Sequence, residues 1–347
     1  MCDYKVAIII DNAYSYGGTE NICSYMVKSL SPLFNVDVIS LKGQGETFYP
    51  FTNVNKLISF SDKKKPLLHA VKFIKANKYT HVFVISMGRL SVFFSILMCM
   101  YHINKVSKVY ACEHVAFNSF SRLIKFLKIK TLKYYDNIIV LTESDRVNLK
   151  ANGLNSIVIS NPIDYKFFSK NKLNKNILAV GRLTYQKGFD LMIEIWKKFI
   201  ILHPEWKLNI LGDGDLKEAL QQKINSYGLE GSVTLHGRVK NVDEFYKEND
   251  LFLMTSRYEG LPLVLLEAKS WSLPCIAYDC PTGPKEIISD NKDGFLIPFS
   301  NSEEFLIKLE LLADNPDLIF KMSDATKFTH IQFSSEQISK KWIKLIR

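Results

Sequence analysis

Short β-branched runs alternate with stretches of helical apolar spacing twice over in this chain, and that pattern narrows its possible folds more than any other feature. In the first half, residues 6–10, 36–41, 82–86, 108–111, 137–141 and 156–159 read as strands. Residues 20–30, 67–76, 91–102, 119–135 and 144–151 carry apolar side chains at three- and four-residue intervals and read as helices. The alternation starts again at Asn176. Strands in turn with helices argue for a parallel sheet covered on both faces. A length of 347 residues allows two such units. The polar, breaker-rich stretch 161–175 is the expected linker between them. No short tandem repeat or low-complexity tract interrupts the plan.

Two loops carry the chemistry. The segment EGLPLVLLE at 259–267 sets Glu259 and Glu267 eight residues apart around a helix entrance. Pro262 suits the first helical turn, where a missing N–H costs nothing. The N–H groups that follow would face any docked anion, with the helix dipole adding attraction. About seventy residues upstream, GRLTYQKG at 181–188 lies between an apolar strand and a helical pattern. An open α/β sheet binds its ligand on such strand-to-helix loops. There Arg182, a planar fork, and Lys187, a point charge, can converge on one diphosphate. The plainer readings are a capped core helix and two solvated basic residues; the remaining segments decide against them.

Those segments are LGDGD at 211–215, VTLHG at 233–237, DLFLMTSRYE at 250–259, PTGPKEII at 281–288 and DGFLI at 293–297. The first half adds GGTE at 17–20, Glu113-His114 at a strand end, and SNP at 160–162. Each is weak alone, but the ordered set resembles the retaining glycosyltransferases of family 4 over nearly the whole chain. The resemblance implies an α/β GT-B fold: two Rossmann-like parallel-sheet domains facing across a cleft, with the C-terminal helix crossing back to the first. The expected division is 1–165 for an acceptor-binding domain, 166–330 for a nucleotide-sugar-binding domain, and 331–347 for the returning helix.

The resemblance also assigns roles. Arg182 and Lys187 would neutralise the donor's diphosphate, Glu267 would bind ribose hydroxyls, and Glu259 would contact the transferred sugar. Backbone N–H groups of Leu263 and Val264 would complete the phosphate cradle, with Gly260 and Leu261 in the loop before it. Gly17 and Gly18 would admit the phosphates without a side chain in the way, and His114 would bind the transferred sugar. After Gly18 the chain reads Thr19-Glu20-Asn21, a departure that leaves the acceptor-side contact at Asn21 open. The activity implied is transfer of a hexose or N-acetylhexosamine from a nucleoside diphosphate sugar to a lipid-linked or polysaccharide acceptor, in cell-surface glycan assembly such as capsule or lipopolysaccharide. Uridine is expected ahead of guanosine as the nucleoside. With no convincing nucleophile, front-face attack is expected, the leaving phosphate taking the acceptor's proton; Glu259 as a covalent nucleophile is the alternative.

No metal or other cofactor is expected. Asp213 and Asp215 look like a metal-binding Asp-x-Asp pair, yet they sit in a strand-turn-helix context where Asp215 could cap a helix at Leu216. His236 suits either the nucleotide side of the site or a structural role. The six cysteines lack metal or redox spacing, and Cys112 and Cys280 read as packing residues. The start of the chain, Met1 onward, reads as no export signal.

Charge divides unevenly. Residues 1–165 hold 20 Lys and Arg against 11 Asp and Glu, a surplus of nine, while 166–347 hold 25 against 24. The surplus thickens at 118–135, where Leu123, Phe126, Leu127 and Ile129 interleave with Arg122, Lys125, Lys128, Lys130 and Lys133. Such a helix either lies on an anionic membrane surface or is an ordinary solvated helix with a core stripe. A lipid-linked acceptor favours the former, with the chain cytoplasmic and peripheral on the inner face of the cell membrane. The apolar stretch 90–103 is too short to span a bilayer and reads as a buried helix. No nucleic-acid motif accompanies the charge. A nucleotide-sugar epimerase of the same fold and a non-catalytic sugar-nucleotide binder are the competing functions. A phosphorylase would need a longer chain, and an oxidoreductase a G-x-G-x-x-G after the first strand.

Overall fold

The computed structural model describes residues 4–117, 120–166, 168 and 171–347. Met1 to Asp3, the first two residues of the basic stretch at 118–135, and Phe167, Ser169 and Lys170 of the expected linker lie outside the described residues. The chain divides into two units, 1–161 together with 336–347, and 162–335.

The first unit runs β1 (Lys5–Asn12), α1 (Gly18–Leu30), β2 (Asn35–Lys42), β3 (Lys56–Ser59), α2 (Pro66–Asn77), β4 (His81–Ser86), α3 (Arg89–Met100), β5 (Lys108–Glu113), α4 (Arg122–Leu132), β6 (Asn137–Val140), α5 (Glu143–Ala151) and β7 (Ser156–Val158). All seven strands are parallel, in the order β3-β2-β1-β4-β5-β6-β7. Along β1, Ala7 and Ile9 face one core while Val6, Ile8 and Ile10 face another. Apolar residues at every position therefore follow from burial on both faces. The first core is roofed by α2, α3, α4 and α5, the second by α1. β3 escaped sequence reading because it is a four-residue edge strand, only partly buried and without a repeat long enough to show a period.

The second unit runs β8 (Asn176–Val180), α6 (Phe189–Leu202), β9 (Lys207–Leu211), α7 (Lys217–Ser226), β10 (Val233–Gly237), α8 (Val242–Glu248), β11 (Leu251–Met254), α9 (Leu263–Ser270), β12 (Cys275–Asp279), α10 (Pro284–Ile287), β13 (Gly294–Pro298), α11 (Ser302–Asp314) and α12 (Pro316–His330). Its six parallel strands take the order β10-β9-β8-β11-β12-β13. A final helix, α13 (Ser335–Ile346), adds Ile338, Trp342 and Ile346 to the second core of the first unit. Trp342 meets Phe83 edge-on at 5.7 Å, and the Tyr110 hydroxyl donates to the Leu345 carbonyl at 3.0 Å.

The units divide at 162 and 336, where 166 and 331 were expected. The expected linker is a strap on the second unit. Ile163 N–H donates to the Phe333 carbonyl, and Lys166 N–H to the Ser270 carbonyl.

Two helices differ from expectation. α3 is not buried all round, since Phe93, Ile96 and Met100 stand on its outer face. α4 is turned over. Leu123 and Phe126, in the core stripe on the solvated-helix reading, are 67% and 56% exposed, whereas Lys128, outside the core on both readings, is 0% exposed. The cause is an ion pair: the Lys128 ammonium reaches inward to Glu113 and also donates to Ser91 Oγ. Residues 124, 128 and 132, four apart, then form the inner row.

Candidate active site

In both sheets the strand order reverses beside the first strand of the unit, between β1 and β4 and between β8 and β11. Open α/β sheets bind ligands beyond the carboxyl ends of their strands at such a reversal. In the second unit the two loops concerned are 181–188 and 255–262, the two loops that sequence singled out.

Their backbones interlock. Gly188 takes φ 65°, and a Cβ there would lie 2.1 Å from the Thr255 carbonyl oxygen, so only glycine lets the loops approach. Thr255 Oγ1 donates to the Gly188 carbonyl, Arg257 N–H donates to the Gln186 carbonyl, and Gln186 Nε2 donates to the Tyr258 carbonyl. Arg257 closes the arrangement with a two-pronged bond to Asp190 at 2.9 and 2.7 Å, and it lies 4.0 Å from the Tyr185 ring. That hydrogen bonding holds the Asp190 carboxyl below its ordinary range.

Lys187 Nζ lies 2.7 Å from Glu259 Oε1, their side chains 15% and 7% exposed. Arg182 is exposed and has no side-chain partner among the described residues. Thr282 Oγ1 bonds the Glu259 carbonyl, and Gly283 at φ 96° passes so close to Gly260 that a Cβ would meet its oxygen at 2.1 Å. The 281–288 segment thus braces the carboxylate loop from behind. Burial pushes the neighbouring Cys280 thiol up to about 12, consistent with a packing residue.

Pro262 serves as the N-cap of α9 rather than lying inside its first turn. Leu263, Val264 and Glu267 share the half-exposed face of α9, while Leu265, Leu266 and Ala268 fill the core. Glu267 Oε2 accepts from the Tyr246 hydroxyl at 2.9 Å, and burial raises its carboxyl above the ordinary value. Behind it, buried Lys269 pairs with Asp293 at 2.8 Å, which accounts for the aspartate of the 293–297 segment.

The turn after β9 is shaped by its glycines: a Cβ at Gly212 would strike the Gly181 oxygen at 1.9 Å. Asp213 Oδ1 accepts from Gly214 N–H, and Asp213 faces Arg238. Asp215 does not cap α7, whose N-cap is Leu216 with no side-chain bond. His236 Nε2 lies 2.8 Å from Asn209 Oδ1, with its ring edge-on to Phe245.

Gly17, Gly18 and His114 belong to the first unit. A Cβ at Gly17 would strike the Glu20 carboxylate at 2.5 Å, so that glycine makes room for a neighbour. At Gly18 a Cβ would meet nothing within 4 Å, leaving the position open to a ligand. Beside them, Asp11, Thr19, Glu20, Lys42 and Arg89 share a pocket of about 470 Å³ with apolar side chains such as Leu67. His114 follows β5, its N–H bonded to the Ser86 carbonyl and its Nε2 buried without a partner among the described residues. Burial lowers it to about 4, so the ring is neutral at physiological pH. Glu113, next to His114 in sequence, pairs with Lys128.

The chain matches the family model for glycosyl transferases group 1 over residues 162–328. It is 35% identical to the amylovoran biosynthesis glycosyltransferase AmsD of Erwinia amylovora, over 98% of both chains. The chain belongs to this glycosyltransferase family. It is also 28% identical to the UDP-Gal:alpha-D-GlcNAc-diphosphoundecaprenol alpha-1,3-galactosyltransferase of Escherichia coli, over 74% of this chain and 72% of that one. In structure it resembles the apo lipopolysaccharide outer core galactosyltransferase WaaB, with a TM-score of 0.80 at 21% identity and 99% coverage of both. That likeness places both units in the GT-B fold.

Sequence reasoning missed Arg257, Asp190, Tyr246 and Thr282. An ion pair between a loop and the first turn of a helix 67 residues away leaves no spacing signature. The glycines at 188 and 283 were the visible trace of the same contacts.

Proposed function

We propose that this glycosyltransferase moves a hexose or N-acetylhexosamine from a uridine diphosphate sugar, with retention, to a lipid-linked glycan at the inner membrane surface during cell-surface polysaccharide assembly. The observation that carries the donor half is the meeting of Lys187 and Glu259 between two loops, one of which also carries exposed Arg182 while the other leads into α9. A diphosphate docked there would be met by two cations and by the Leu263 and Val264 N–H groups. Glu259, released from Lys187 or shared with it, would take sugar hydroxyls, and Glu267 would take ribose hydroxyls. The uridine and the lipid-linked acceptor draw support from the Escherichia coli relative, whose name specifies UDP-Gal and a diphosphoundecaprenol acceptor. The mixed polar and apolar pocket of the first unit suits an acceptor that joins a glycan to a lipid.

In the step proposed, the acceptor hydroxyl oxygen bonds to the anomeric carbon as the bond to the diphosphate breaks. The hydroxyl proton passes to the departing phosphate oxygen. Arg182, Lys187 and the α9 dipole stabilise the charge that develops on the leaving group. A carboxylate held by an ammonium is a poor nucleophile, so Glu259 is assigned to sugar binding rather than to a covalent intermediate. We infer no metal requirement, because Asp213 is tied to its own turn and to Arg238. The test is calorimetric titration with UDP and GDP, followed by transfer assays from the matching donor sugars in chelator. Binding of neither diphosphate, or activity that returns only with manganese, would overturn the assignment.

A further inference from the structure

A cluster of aromatic rings tops the carboxyl end of the first sheet. Tyr16, in the turn after β1, is 76% exposed, and Phe48, in the segment after β2, is 63% exposed. Their ring centroids lie 4.8 Å apart, edge to face. Half-buried Tyr49 completes the group, stacked on Tyr16 at 6.0 Å and edge-on to Phe48 at 5.0 Å. The backbone beneath is pinned. Gly43 takes φ 79°, and a Cβ there would lie 2.3 Å from Asn12 Oδ1 and 2.8 Å from the Tyr14 ring, so the second segment starts pressed against the end of β1. Ser24 Oγ of α1 donates to the Pro50 carbonyl, and Phe51 and Val54 pack against the second core.

Apolar rings held in water by an anchored backbone mark a recognition surface, and the residues around them narrow the partner. In residues 13–19 and 43–55 the only charged side chain is Glu46, while serine, threonine, tyrosine, asparagine and glutamine supply the hydrogen-bonding groups. The flanking charges, Asp11 and Lys42, pair with each other at 2.9 Å. An anionic lipid surface or a nucleic acid calls for cations that these segments lack. Three rings, at about 150–250 Å² each when wholly buried, fall short of the roughly 800 Å² that each partner gives to a stable protein interface. A pyranose ring fits. Its axial C–H bonds form an apolar face whose hydrogens meet the negative face of an aromatic ring, and its rim of hydroxyls suits uncharged polar side chains. The cluster also adjoins the pocket of about 470 Å³, since Lys42 immediately precedes Gly43 and Thr19 follows Tyr16 in the same turn.

We infer that Tyr16, Phe48 and Tyr49 form a platform on which an uncharged pyranose ring of the acceptor glycan stacks, beside the pocket that receives the rest of the acceptor. The platform selects acceptors that already carry sugar over a bare lipid phosphate. It rests on the acceptor half of the proposed function and deepens it, and it uses none of the donor loops of the second unit.

The test is saturation-transfer NMR of the full chain with the methyl α-glycosides of glucose, galactose, N-acetylglucosamine and N-acetylgalactosamine. At least one is expected to receive saturation, more strongly at its ring C–H protons than at its O-methyl group. Tyr16→Ala with Phe48→Ala should weaken that binding about tenfold or more, each stacked ring counting for about as much as an aromatic pair. The melting temperature should barely move, because both side chains are exposed. Tyr16→Phe with Phe48→Tyr keeps both ring faces and should keep the binding. Phe328→Ala, at a ring 71% exposed on the second unit, should change nothing. A wild type that passes saturation to none of the four glycosides, or a double alanine variant that binds them normally, overturns the inference. So does an equal loss in the ring-swapped pair or in the Phe328 control. A double alanine variant whose mass in solution differs from that of the wild type overturns it too, since the rings would then be a protein contact. Titration of the same samples with UDP and GDP separates the two proposals. Glycoside binding without nucleotide binding sinks the donor assignment alone, and the reverse sinks this one alone.

Discussion

Each unit places a lysine–glutamate pair near the carboxyl end of its sheet, yet the two pairs live under different rules. Lys128 and Glu113 are sealed in the first unit, and their ammonium sets the rotation of α4. Lys187 and Glu259 join two loops, their side chains 15% and 7% exposed, and Arg182, on the same loop as Lys187, is exposed. A sealed pair has only each other, so removing one member strands a charge in low dielectric. A pair whose lysine still reaches water could, as the proposed function requires, exchange its partner for a ligand, since diphosphate oxygens and sugar hydroxyls offer the same bonds. The same chemistry thus orients a helix in one place and, under the proposed function, recognises a donor in the other; the two ammonium groups differ in access to water, 0% against 15% exposed.

The sharpest way to break this contrast is Lys128→Met. It should cost about 3–5 kcal/mol of stability by leaving Glu113 buried and unpaired, read as a lowered denaturation midpoint, and adding Glu113→Gln should restore part of it. Arg182→Ala should do the opposite: a loss of about a hundredfold or more in kcat/KM with the melting curve unmoved. If Lys128→Met melted like wild type while Arg182→Ala unfolded, the contrast would be reversed and the assignment lost. A smaller effect is expected at Arg257→Lys. A lysine cannot make the forked bond to Asp190, so the cation loop loosens and the donor KM should rise about tenfold with a lesser change in kcat.

The smallest effect concerns His114. Its folded value is lowered to about 4 by burial, while the unfolded chain titrates near about 6.5. The unfolded state therefore binds the extra proton first. The stability that this ring contributes is complete above about pH 6.5 and is lost as the pH falls toward 4. His114→Gln should flatten that part of the stability profile. It should leave the activity profile between pH 6 and 8 without a change of shape, since the ring is already neutral there.

Much of this was legible in the chain. β1 is an unbroken apolar run and α6 is long and periodic, each flanked by glycine or polar residues, so local pattern and final structure agree. Arg182, Lys187, Glu259 and Glu267 stood out in the sequence because glycine and proline punctuate the loops and the helix start that carry them. β3 was lost because four half-buried residues at an edge give no period. α4 misled for a different reason. Its sequence is amphipathic on either reading, and only a long-range partner, Glu113, decides that a lysine goes in and a phenylalanine stays out. The Arg257–Asp190 clamp was invisible because a loop and the start of α6, distant in sequence, meet only as a product of the fold.

The last helix makes the order of synthesis matter. Ile338, Trp342 and Ile346 fill a core whose other members all emerge before residue 160. A ribosome therefore releases the whole of 162–335, a continuous stretch able to collapse on its own sheet, before the earlier unit receives its final apolar face. The half made first is finished last. Until then a strip beside Phe83 and Tyr110 stays uncovered, the natural foothold for a chaperone on the nascent chain.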